Sequence, residues 1–176
     1  MKRTRTKFVT VSAMLAGLGT VLLGLGALID VLDLTTAALA SLLIVWAVIE
    51  MGGAYPWMIW AVTAFLSILL LPQKTPGCFY LFIGLYPILK EKLERLPRSV
   101  EWLLKVVAFH VMIALCWVVL RVFVPSEAEL TFGWLLLGTY ALALAAFLLY
   151  DYSLTKLISF YIWKLQKRFG LKKGKK

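Results

Sequence analysis

Four residues in the second half of the chain, His110, Ala114, Trp117 and Arg121, recur at steps that place them on one face of a helix. They interrupt an apolar run from Val100 to Val124, where an ionisable side chain costs on the order of 3 kcal/mol unless it faces protein or water. The chemistry open to such a face is binding: an imidazole to share hydrogen bonds, an indole wall, and a guanidinium to hold an anionic group. The face is therefore expected to look into a helix bundle, towards a cavity. Structural roles compete with this reading. A neutral His110 could bond a neighbouring helix, and Arg121 could reach lipid phosphate or pair with Asp33 or Glu127. Glu101 and Lys105, four apart on the opposite face, are expected to pair with each other, with Glu50 as the other partner open to Lys105. Tyr140, which shares a face of the next helix with Gly133, Phe147 and Asp151, lies at a depth comparable to Trp117.

Bond-making chemistry finds no such set. The single histidine rules out a multi-histidine metal site, and Cys78 and Cys116 follow no metal or redox spacing. No paired acids sit within a span, and neither a nucleophile signature nor a phosphate-cradling loop is present. No catalytic residue, metal or cofactor is expected, and the chain reads as a protein that is not an enzyme.

The elements that must position these residues follow from composition. The chain has 176 residues, 62% hydrophobic and 16% charged, where soluble domains carry about 25% charged residues. Its apolar runs predict an all-α polytopic membrane protein. The expected form is a six-helix transmembrane bundle with spans at 8–29, 34–50, 55–71, 77–92, 100–124 and 131–152, forming one integral membrane domain over 1–176. The first run, 22 residues from Phe8 to Ile29, exceeds the apolar core of about 7–15 residues in a signal peptide. It reads as helix 1. Residues 154–169 carry Leu154, Leu157, Ile158, Tyr161, Ile162 and Leu165 at helical spacing among lysines, an interfacial amphipathic tail suited to anionic lipid.

The net charge of +10 is distributed by topology rather than along a nucleic-acid-binding face. Of 19 basic residues, 4 precede Phe8, 4 lie in Lys90–Arg98 and 8 fall from Lys156 onward. With six spans, all three groups share one side, so both termini are expected in the cytoplasm of a cell-membrane protein. Membrane lipids are expected partners, and nucleic acid is not.

Two stretches leave alternatives open. Between Pro76 and Lys90 lie 13 residues, too few at about 1.5 Å each to cross a hydrocarbon core of about 30 Å. Either Lys90 and Lys92 snorkel to the headgroups, or this is a short, bent span packed among longer ones. Short, Pro- or Gly-interrupted spans often lie beside a substrate or a gate. On helix 1, Ala13, Gly17, Thr20, Gly24 and Ala27 form a small-residue stripe, which serves either packing within the chain or docking of a partner subunit.

Six short helices, a basic leader and the Ala-x-x-x-Gly stretch Ala13-Met14-Leu15-Ala16-Gly17 resemble the substrate-capture (S) components of energy-coupling-factor transporters. That resemblance implies docking of Ala13 and Gly17, with Thr20 and Gly24 on the same stripe, against a transmembrane coupling subunit that works with ATPases. It also implies a ligand pocket in the outer half, beneath the loop after helix 1 and among helices 4 to 6. Asp33 and Tyr80 then join His110, Trp117, Arg121 and Tyr140 as candidate ligand contacts. The expected function is a small-molecule-binding membrane subunit of an uptake transporter that depends on a separate energising complex. The alternative is a non-transporting membrane scaffold or cell-envelope assembly protein.

Overall fold

In a membrane every backbone polar group must be satisfied within the chain, which leaves an apolar sequence without closed strand pairing only the helix. The computed structural model describes residues 2–94, 97–123, 134–161 and 163, and among them all regular structure is helical. The helices are α1 (Lys2–Leu28), α2 (Asp33–Glu50), α3 (Tyr55–Leu70), α4 (Thr75–Ile83), α5 (Tyr86–Leu93), α6 (Arg98–Phe123) and α7 (Trp134–Phe160). Among the described residues three stretches are long and apolar enough to cross a membrane, Thr6–Leu28, Asp33–Glu50 and Leu137–Phe160, and α3 is a shorter apolar helix. The chain divides into two compact units, Met1–Glu129 and Leu130–Lys176.

Local chemistry explains where the helices stop. Gly52 and Gly53, at φ 59° and 62°, turn the chain between α2 and α3 through left-handed backbone that favours glycine. Pro56, Pro76 and Pro87 each sit in the first turn of a helix, where a missing N–H costs nothing. Pro87 also divides the expected span 77–92 into α4 and α5, since its ring clashes with the preceding turn and it cannot donate to Ile83. The bond from Gly84 N–H to Tyr80 O (2.8 Å) closes α4 before the break, and that from Leu89 N–H to Leu85 O (3.2 Å) opens α5 after it.

Close contacts set the register of the first unit. Gly19 meets Leu43 and Gly26 meets Thr36, so α1 and α2 are antiparallel neighbours. Thr63 donates to the Ala16 carbonyl, 47 residues away, and Gly24 meets Leu71 at the same offset, so α1 and α3 run parallel. Ser67 against Gly77 and Trp60 Nε1–H donating to Leu81 O (3.0 Å) make α3 and α4 antiparallel. One end of this unit gathers Lys7, the Phe8–Tyr55 ring pair (5.5 Å), the 51–54 turn, Lys90 and Lys92; it is the basic end. The opposite end holds Leu28, Asp33 and Leu71. α6 packs on α4 and α5.

The interior of the unit mixes large apolar and aromatic side chains, Leu23, Ile44, Ile59, Tyr80, Tyr86 and Ile88, with small and weakly polar ones, among them Ser12, Ala16, Ala37, Ala40, Ser41, Ala47, Thr63, Ala64 and Ser67. Other large apolar side chains, such as Met14, Val21, Phe65 and Leu103, point outwards. Small residues at helix contacts and apolar ones outside suit a lipid solvent, in which helices associate through close packing.

α1 carries two small-residue stripes, and the more fully packed one is not the expected one. Ser12, Ala16, Gly19, Leu23 and Gly26 are buried, whereas the expected stripe runs from exposed Ala13 and Gly17 through half-buried Thr20 and Gly24 to buried Ala27. A methyl group on Gly26 would fall on Thr36 Oγ1, which accepts no displacement freely because it donates to Leu32 O (3.0 Å) and Asp33 O (3.1 Å). Gly26→Ala is expected to destabilise the fold by about 1–3 kcal/mol. At Gly17 a methyl group meets nothing within 4 Å, and Gly17→Ala should be neutral or stabilise by up to about 0.8 kcal/mol. Unfolding by SDS titration in mixed micelles separates the two.

Among the described residues of the second unit the α-helix is α7, and the expected amphipathic tail begins as its direct continuation through Phe160. Residues 164–169 of that tail, and the loop bearing Glu127 and Glu129, lie outside the described residues.

Candidate ligand site

Buried polar side chains occur on every helix of the first unit, and one group of them lies where α3 and α4 meet α1. Thr63 and Tyr80 are buried, 0% and 1% exposed, and their hydroxyls share a hydrogen bond. Thr63 Oγ1–H reaches the Ala16 carbonyl at 3.3 Å, so the Tyr80–Thr63 pair ties α4 to α3 and α3 to α1. The Tyr80 ring fits because residue 84 is glycine; a Cβ there would stand 2.9 Å from ring atom Cε2. One turn along, Ser67 Oγ–H donates to Ala64 O (2.9 Å) and lies against Gly77. Glycine at 77 therefore lets α4 approach α3 closely, and glycine at 84 leaves room for the Tyr80 ring of the same helix.

Asp33, the first residue of α2, is 6% exposed and stands at the end opposite the basic end. On the register above it lies roughly 10 Å further along the bundle than Thr75, seven residues at about 1.5 Å each. Thr75, the first residue of α4, is 4% exposed, and its Oγ1 is buried without a hydrogen-bond partner.

At the basic end Lys90 turns into the bundle and Lys92 out of it. The Lys90 side chain is 0% exposed, ion-paired to Glu94 at 3.2 Å, with Nζ 6.0 Å from the Tyr86 ring centroid. It does not reach out of the bundle, and α4–α5 is a short, broken element packed among longer helices. Lys92 is exposed instead, over the Trp57 ring at 5.3 Å. Trp57 and Trp60 form an edge-on pair at 5.9 Å.

The candidate residues are only partly brought together. Asp33 and Tyr80 share the interior of the first unit, at different levels. Of the His110 face of α6, His110 and Ala114 are exposed, and His110 Nδ1 lies 2.8 Å from Val106 O on its own helix. The side turned inward carries Lys105 and Phe109, 7% and 4% exposed. Lys105 pairs with Glu101 at 2.7 Å, as the spacing allowed. The side chains of Trp117 and Arg121 lie outside the described residues. Tyr140 belongs to the second unit and is exposed on α7.

Sequence reasoning overlooked Thr63, Ser67 and Thr75. The signal was there for the first two: hydroxyls four apart in an apolar helix share a face, and in lipid that face turns towards protein. Among the described residues no group of three or more metal-ligating side chains forms. Comparison with protein families, with curated proteins and with solved structures gives no match.

Proposed function

We propose that the chain is a multi-pass cell-membrane subunit, both termini cytoplasmic, that captures a small molecule from outside and relies on a separate ATP-hydrolysing complex for uptake. The observation that carries this reading is the division of labour on α1. Internal packing uses Ser12, Ala16, Gly19 and Gly26, which leaves Ala13 and Gly17 open on the adjacent face. Small residues on a lipid-facing helix face forgo side-chain contact with lipid, and what they permit is close approach of another helix. Buried polar groups at the opposite end, Asp33 and Thr75, are consistent with ligand capture there. The gathering of Lys7, Lys90 and Lys92 at one end agrees with a cytoplasmic basic face.

Purification in mild detergent tests the reading. The wild type should bring down a membrane coupling subunit with its ATPases, and the Ala13→Leu/Gly17→Leu double variant should lose it by about tenfold or more while unfolding like wild type. Recovery of cell-envelope machinery in place of ATPases would favour the scaffold alternative. Retention of an ATPase partner by the double variant would remove α1 as the docking face. Small-molecule binding should weaken in Trp117→Ala and Arg121→Ala if the far end of α6 contributes to the pocket.

A further inference from the structure

α4 starts within the bundle rather than at its rim. α3 and the turn after it stop short of the ends of α1 and α2, since Leu71 is level with Gly24 while α1 runs on to Leu28. The first turn of α4 is consequently set below the end marked by Asp33. It presents the N–H groups of Thr75 and Gly77, which have no acceptor within the helix; Pro76 between them has none to offer. The first bond of the helix is Cys78 N–H to Lys74 O (2.9 Å), and no side chain caps the turn. Lys74 is occupied in closing the loop, its Nζ donating to Leu71 O at 2.6 Å. In the same turn the Thr75 hydroxyl is buried and unpartnered within the chain, which leaves it open to a bound water, ion or ligand group.

We propose that the first turn of α4 is the anion-holding half of the ligand site and takes the carboxylate of a small monocarboxylate. The positive end of the α4 dipole, two backbone N–H groups and the Thr75 hydroxyl all favour a carboxylate at this point. Interrupted membrane helices use the same arrangement, the half-helix N-terminus facing the substrate's negative group. Asp33, roughly 10 Å further along the bundle, sets the other limit. It disfavours a second negative charge at that distance and suits a neutral or cationic far end. The inference deepens the transport reading and rests on it.

Hydrogen exchange of the full chain in lipid nanodiscs tests the site without knowledge of the natural ligand. Exchange in residues 72–80 is followed in sodium propionate, propionamide, succinate or sodium chloride at matched ionic strength. Propionate should slow exchange in proportion to its occupancy, by about threefold or more at saturation, because bound ligand stabilises the closed form by mass action. Propionamide should leave exchange at the chloride rate, and succinate should act more weakly than propionate. Thr75→Val should be at least as stable as wild type in chloride, since it removes an unpaired buried hydroxyl, yet lose the propionate effect; Thr75→Ser should keep it. Equal exchange in propionate and chloride, or full protection in Thr75→Val, overturns the proposal. Propionate protection without an ATPase partner would remove the transport reading and leave the site standing. A coupled transporter indifferent to propionate would do the reverse.

Discussion

Tyr80→Ala will lower the stability of the protein by about 3 kcal/mol or more, one of the two largest losses expected from any single change here. The residue is 1% exposed, its ring lies against the backbone at Gly84, and its hydroxyl is bonded to Thr63. Within lipid the usual gain from hiding apolar surface is absent between helices, so packing and hydrogen bonds carry the association. Removing the ring empties the junction of α1, α3 and α4 and deprives Thr63 of a partner. Tyr80→Phe keeps the packing and should cost only about 1 kcal/mol, the net worth of one hydrogen bond. SDS titration measures both, and the ratio between them separates shape from polarity. Equal, small losses would mean that α4 is not held by this residue.

Lys90→Ala should be comparably damaging, at about 3 kcal/mol, whereas Lys90→Met should lie within about 1 kcal/mol of wild type. The Lys90 side chain is 0% exposed while its partner Glu94 is 40% exposed, so the lysine carries most of the burden of leaving water. Methionine keeps nearly the same volume and removes the charge that burial penalises. Alanine removes both and leaves a void beside Tyr86 and α2, against which α5 packs. A Met variant as damaged as the Ala variant would show that the ammonium itself is required, and would direct attention to Lys90 as a functional cation.

Much of the architecture was legible from local chemistry. The long apolar runs become helices, the form in which an apolar segment satisfies its own backbone groups. Gly52-Gly53 and Pro56, Pro76 and Pro87 punctuate the chain where their steric demands place turns and helix starts. The helical spacing of Glu101 and Lys105 allowed their ion pair, and the structure makes it. The shortness of the span ending at Lys90 also announced that something irregular would happen there.

The tertiary structure alone chose among faces. Two small-residue stripes on α1 lie about 100° apart, and nothing in residue size distinguishes Ala13 and Gly17 from Ala16 and Gly19. The choice fell to the partners: Leu43 and Thr63 fit against Gly19, and Thr36 against Gly26. α6 likewise turns Lys105 and Phe109 inward and leaves His110 outside, because a lysine that pairs with its neighbour on the same helix can be buried at less cost than its formal charge suggests. Lys90 is buried for a related reason, its charge being met by Glu94 one turn on. Helical periodicity decides which residues stand together on a face; only the shape of the neighbouring helix decides which face is covered.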